Sequence, residues 1–157
     1  MIELKHLFEL QLFVEPIVEI GHTPYGQRRI SPIKGGRFQG DRLKGHVQAS
    51  PAGDWLLVRN DGVLTLNVRL TLECDDHSLI YMSYEGMRHG PQEVMDKLAK
   101  GESVEPGSYY FRMAPKFETA SPKYAFLNKM LAIATGHRDP LAPLTKSLRS
   151  SENKRPG

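Results

Sequence analysis

The sequence predicts an all-β protein folded as a single antiparallel β-barrel with one short helix, and three observations predict it. First, from Leu64 to Leu72 the aliphatic residues Leu64, Leu66, Val68, Leu70 and Leu72 alternate with Thr65, Asn67, Arg69 and Thr71. That period of two puts the five aliphatic side chains on one face of a strand. Second, about eight or nine short extended runs follow one another, separated by closely spaced turn signals. Third, Gly40 and Gly45 fall inside an extended pattern, where glycine marks bulges and barrel corners. Together these favour a barrel over a sandwich, and a barrel of that strand number has room for one small ligand.

Taken in order, Leu7 to Ile20 opens with Phe8, Leu10, Leu12 and Val14 on one face, and Pro16 makes it an edge, a bend or two short strands end to end. Gly21 to Gly26 is a connection. Gln27 to Ile33 predicts a short strand closed by Lys34, Gly35 and Gly36, and Arg37 to Val47 a glycine-bent one. Asp54 to Arg59 predicts a strand, and Asn60, Asp61 and Gly62 a hairpin turn into the central strand. After the turn residues Asp75, Asp76, His77 and Ser78, the run Leu79 to Glu85 pairs back as a hairpin. Gly90 to Gly101 predicts the helix: Pro91 suits its first turn, Val94, Met95 and Leu98 share a face, Lys97 and Lys100 suit its end, and Gly101 stops it. Strands are expected over Tyr109 to Ala114, Phe117 to Thr119 and Tyr124 to Thr135. Residues 1–136 are read as the barrel domain, and 137–157, with Pro140, Pro143 and serines among basic residues, as a loose, flexible tail.

Composition bounds the function. The 157 residues suffice for one domain, with 39% hydrophobic and 25% charged residues. No apolar run approaches the ~20 residues that span a bilayer, and Met1 to Phe8 lacks the order of a signal peptide. The single cysteine, Cys74, excludes an internal disulfide and fits a reducing cytoplasm. The formal charge of +3 is concentrated in Lys146, Arg149, Lys154 and Arg155, so a near-neutral body argues against nucleic acid even where Tyr109, Tyr110, Phe111 and Arg112 interleave aromatic and basic residues. Neither a membrane nor a nucleic-acid partner is expected; a homo-oligomer stays open.

There is no Walker loop, G-x-S-x-G elbow, H-E-x-x-H or C-x-x-C. The segment GGRFQG, Gly35 to Gly40, lacks the following helix that a dinucleotide loop requires. His6, His22, His46, His77, His89 and His137 show no ligand spacing, so neither metal nor cofactor is expected. Nothing marks Cys74 as a nucleophile.

Four sets of side chains carry chemistry, each with two readings. Asp54 beside Trp55 is a turn or cap group, or a carboxylate at a barrel mouth beside an aromatic wall. Asn67 and Arg69 face solvent, or form an inward fork for an anion. Tyr84 is a buried structural phenol or a hydrogen-bond donor to substrate. Tyr110, with Arg112 on its face, offers the same choice.

The ordered set GGRFQG, GHVQ, GDWLLVRNDG, LNVRLTLE, IYMSYEG, YYFRMAPKFET and Y-x-F-L-N resembles an uncharacterised family of small bacterial and fungal proteins, UPF0311-like, catalogued as domain of unknown function number 3237. The likeness runs from Leu7 to about Gly136. It implies a closed or nearly closed barrel, similar in outline to lipocalin and allene-oxide-cyclase barrels, with an internal cavity. It also implies that polar family positions fall on Asp54, Trp55, Arg59, Arg69, Tyr84, Arg112 and Asn128. Where the family often has an acidic residue two before the central arginine, this chain has Asn67, which weakens an acid-base role there.

The expectation is therefore a cytoplasmic barrel that binds a small carboxylate, carbonyl or phenolic molecule in its lumen. In its stronger form it is a cofactor-independent lyase, isomerase or cyclase: Asp54 moves a proton, Arg69 and Arg112 hold an anionic oxygen, Tyr84 or Tyr110 donates a hydrogen bond, and Trp55 walls the pocket beside Arg59, Asn67 and Asn128. A non-catalytic carrier or sensor needs the same pocket without a tuned acid. A structural protein would instead show a filled lumen with Arg69 outside.

Overall fold

Which way the central strand faces is decided by burial. In the computed structural model, which describes residues 4–138 and, as a strand, 145–153, β6 (Leu64–Cys74) buries Leu66, Val68, Leu70 and Leu72 to 3% exposure or less and leaves Asn67 and Arg69 exposed. Each buried aliphatic side chain stabilises by about 1.5–3 kcal/mol, against about 0–1 for a surface ion pair. The aliphatic face therefore turns inward and takes Arg69 outward. β7 (Leu79–His89) pairs antiparallel with β6 from Leu64 opposite Arg88 to Glu73 opposite Leu79. Their turn is held by Ser78 N donating to Asp76 Oδ1 at 3.0 Å and by His77 in the left-handed region, φ 65°.

The remaining strands are β1 (Leu4–Val14), β2 (Val18–Thr23), β3 (Gly26–Gln39), β4 (Lys44–Val47), β5 (Gly53–Val58), β8 (Tyr110–Glu118), β9 (Ala132–Arg138) and β10 (Thr145–Asn153), with α1 at Gln92–Ala99. They form an antiparallel sheet in the order β1, β10, β9, β8, β7, β6, β4, β3, β2, with β5 between β3 and β6. Because β1 pairs with β10 on one side and β3 on the other, the run of pairings returns to its first strand. The inward-facing side chains form one apolar cluster including Phe8, Leu10, Leu12, Phe38, Leu70, Ile80, Met82 and Phe111. Leu98 of α1 joins it, as do Tyr124 and Leu127 from the 3-10 segment Pro122–Lys129. Among the described residues no helix is long and apolar enough to cross a membrane.

Four segments differ from the sequence reading, one of them β8, which runs unbroken through Pro115 where two strands, Tyr109 to Ala114 and Phe117 to Thr119, are expected. Gln27–Ile33 and the start of Arg37–Val47 are not separate: β3 runs on through Pro32, Gly35 and Gly36. A Cβ at Gly36 would lie 2.3 Å from Gln11 O, so glycine lets β3 bend against β1 instead of ending. Gly45 is as tight, its Cβ position 2.0 Å from Glu73 O, as expected of a glycine at a close approach. The run Tyr124–Thr135 is a strand only in its last four residues, from Ala132. Pro122 starts a 3-10 turn whose buried residues, Tyr124 and Leu127, are three apart, the period of that helix. Finally, within the stretch read as a loose tail, β9 continues to Arg138 and residues 145–153 form β10, pairing with both β1 and β9. A boundary at 136 thus cuts through a strand.

Candidate functional site

Outward-facing positions on β5 to β9 converge on an open groove of about 810 Å³. Asn67 on β6 stands opposite Glu85 on β7, and Glu85 opposite Ala114 on β8. Two residues before Ala114, hence on the same face, Arg112 stands opposite Met87 and Thr135. Two further back, Tyr110 stacks on His89 with ring centroids 4.9 Å apart, and the Arg112 guanidinium lies 5.3 Å from the Tyr110 ring. Trp55 and Arg28 complete the lining with Leu57 and Ile133. Trp55 is 41% exposed, Tyr110 44%, Met87 40% and Ile133 51%. Large apolar side chains clustered outside a core mark a contact or ligand surface.

The groove lies where the sheet parts. β5 pairs with β6 at Gly53 and Asp54 and again at Leu57 and Val58, skipping Trp55 and Leu56. Side chains serve the backbone groups there: Asn67 N donates to Asp54 Oδ1 and Arg28 Nη1 donates to Trp55 O, each at 3.1 Å.

Beneath, a row runs in register across five strands: Ser31, Asp54, Val68, Tyr84 and Pro115. Asp54 has no exposure, Ser31 1% and Tyr84 2%. Burial, and then the nearby Asp54 carboxylate, hold the Tyr84 phenol well above its ordinary pKa. It stays protonated at neutral pH and serves as a donor, not a base. Arg88, also on the inner face of β7, is pushed down by burial and by Arg138, and drawn back up by Tyr109 and Asp54. Its Nε is shut off from solvent without a hydrogen-bond partner among the described residues, and its Cζ lies 5.7 Å from the Phe111 ring.

The residues singled out from the sequence therefore divide. Trp55, Asn67, Tyr110 and Arg112 come together, but on the outer face, where strand alternation sends them once Leu56, Leu66, Val68, Phe111 and Met113 are buried. Asp54 and Tyr84 are interior. Arg69 is outward, opposite Gly53 and Ser83, and does not line the groove. This corrects the inward fork expected of Asn67 and Arg69. Arg59 is engaged in the β5–β6 turn, donating through Nε to Asp61 Oδ1 at 3.0 Å and through Nη2 to Oδ2. Asn128 ties the 3-10 segment to Thr119, accepting from its N at 2.8 Å and donating to its O at 2.9 Å. Arg28, Glu85 and Arg88 were missed. Glu85 had a signal: a turn at Asp75 to Ser78 fixes the hairpin register and sets it opposite Asn67. Arg28 had none.

Among the described residues no three or more His, Cys, Asp or Glu side chains are grouped so as to hold a metal ion. Cys74 is 2% exposed and burial pushes its thiol up, the setting of an inert cysteine.

A family model described as "Protein of unknown function (DUF3237)" matches residues 2–147. A UPF0311 protein of Rhodopseudomonas palustris is 34% identical over 137 residues, 87% of this chain and 89% of the relative. A protein of Acinetobacter baumannii, described as β-barrel-like, superposes with a TM-score of 0.84 at 36% identity, covering 98% of this chain and 97% of that one. An enzyme of Penicillium herquei shares the fold, with a TM-score of 0.71 at 17% identity over 98% of this chain and 95% of its own.

Proposed function

This chain belongs to the DUF3237 family of proteins of unknown function, and within it we propose a small-molecule-binding β-barrel that works on its outer face. In this reading the ring of pairings is a closed barrel whose interior is structural, and the groove over β5 to β9 takes one small organic molecule with a flat apolar body and a carboxylate, carbonyl or phenolic oxygen. One observation carries it: Trp55 and Tyr110 supply aromatic walls, Arg28 and Arg112 cations, and Asn67 and Glu85 further polar groups, all in one groove.

The inventory suits proton transfer beside a carbonyl, as in a cofactor-independent isomerase, lyase or cyclase. Glu85 takes a proton from the carbon next to the carbonyl, and the electron pair moves onto the carbonyl oxygen. Arg112 faces the resulting oxyanion, and Tyr110 donates a hydrogen bond to it. The protonated Glu85 then returns its proton to another atom of the ligand. This moves the acid-base role from Asp54 to Glu85, because a fully buried Asp54 does not reach a ligand on the outer face.

Trp55 is the sole tryptophan, so its fluorescence reports groove occupancy. Titration with aromatic carboxylates and phenols is expected to quench it saturably, and Arg112→Ala to weaken binding about tenfold or more, the scale of a hydrogen bond to a charged group. Unsaturable quenching, or equal affinity in Arg112→Ala, would contradict the reading. For a ligand that is turned over, Glu85→Gln keeps binding and abolishes turnover.

A further inference from the structure

We infer that Asp54 is a positioning residue for the groove: from inside the barrel wall, its carboxylate holds open the gap between β5 and β6 over which Trp55 and Asn67 present themselves. The inference rests on the groove being the binding site.

Between the pairs Asp54 with Val68 and Leu57 with Thr65, the β5–β6 ladder lapses for two residues. Amides and carbonyls in such a gap lose their ladder partners and take substitutes. The Asn67 amide finds one in Asp54 Oδ1 and the Trp55 carbonyl another in Arg28 Nη1, both at 3.1 Å. One side chain thus fixes the backbone of Asn67, while its own backbone fixes the start of Trp55. Both of those residues line the groove.

Asp54 and Ser31 are both buried, and they are directly opposite each other on β5 and β3. A carboxylate with no exposure is costly to maintain in a wall. A plain ladder, with a Trp55 or Leu56 carbonyl accepting from β6, would serve stability without it. What the carboxylate adds is the parting of the strands. Glu85, opposite Asn67, and Arg28 then both face the space so created.

The test compares Asp54→Asn, which keeps an acceptor oxygen for the Asn67 amide, with Asp54→Val, which removes it. Two readouts are used: the emission maximum of Trp55 and the affinity for 2-naphthoate measured by its quenching. Asp54→Val is expected to shift the emission and weaken 2-naphthoate by about tenfold or more, the effect of leaving the Asn67 amide without its acceptor. Asp54→Asn is expected to restore both even where its melting temperature falls. A residue that serves stability alone would lower the melting temperature and leave both readouts unchanged in the folded fraction, overturning the inference. So would an Asp54→Asn protein as impaired as Asp54→Val. Should Asp54→Val not fold, amide exchange decides: Asn67 N–H is protected in the wild type and in Asp54→Asn, and free exchange there in the wild type overturns the inference. If 2-naphthoate fails to quench the wild type, the groove reading fails for that ligand class, while emission and exchange still judge the role of Asp54.

Discussion

Leu70 and Arg69 are neighbours on β6, and the strand sends one to 1% exposure and the other into solvent. Leu70→Ala is expected to cost about 2–5 kcal/mol, as truncation of a core leucine does. Arg69→Ala is expected to change stability by no more than about 0.5 kcal/mol. Urea denaturation of both variants checks the orientation on which every placement in the groove depends; an Arg69→Ala cost like that of Leu70→Ala would reverse it. The sequence contained the alternation but not its sign. Period two says that Asn67 and Arg69 share a face, and five aliphatic residues on the opposite face say that it is the buried one. A resemblance implying an internal cavity suggested that the polar face was the inner one. Asp54 went the other way: a residue with the profile of a turn former is fully buried, because its carboxylate replaces a missing ladder acceptor 13 residues away, at Asn67. No local pattern encodes that.

At the scale of elements, the turn linking β5 to β6 is built on the Arg59–Asp61 pair. Hydrogen bonds from the Arg59 side chain and then from Val63 N hold the Asp61 carboxyl at about 2, below the ordinary value of about 3.9. A carboxyl lowered by folding stabilises the turn above its unfolded value and loses that contribution as pH falls from about 4 toward 2. Carbon-13 NMR titration should place the Asp61 midpoint near 2, and Arg59→Ala should raise it toward the ordinary value; a midpoint unmoved by that substitution would remove Arg59 as the cause. The turn and both hairpin strands were legible because Asn60, Asp61 and Gly62 and the alternation after them are local signals. Tyr124 to Lys129 was not, since an apolar run has no strand period to betray a 3-10 turn, and Pro122, which starts it, lies outside the run. β10 was hidden differently: its serines and basic residues lack alternation, and its pairing with β1 joins opposite ends of the chain.

At the scale of the whole molecule, the antiparallel sheet packs one face on an apolar core, and the polar chemistry divides between its two faces. Inside are the buried Asp54 and Tyr84, with the half-buried Arg88 on the same face of β7 as Tyr84. Outside are Arg28, Asn67, Glu85, Tyr110 and Arg112. That division carries the central claim, that ligand meets the outer wall, and two methionines report it directly. Met87 lines the groove at 40% exposure, whereas Met82, on the same strand, is fully buried. With methionine methyl groups labelled with carbon-13, nuclear Overhauser contacts from bound 2-naphthoate are predicted at Met87 and not at Met82. Contacts at Met82, with Met87 silent, would put the ligand on the core side of the sheet and contradict the account.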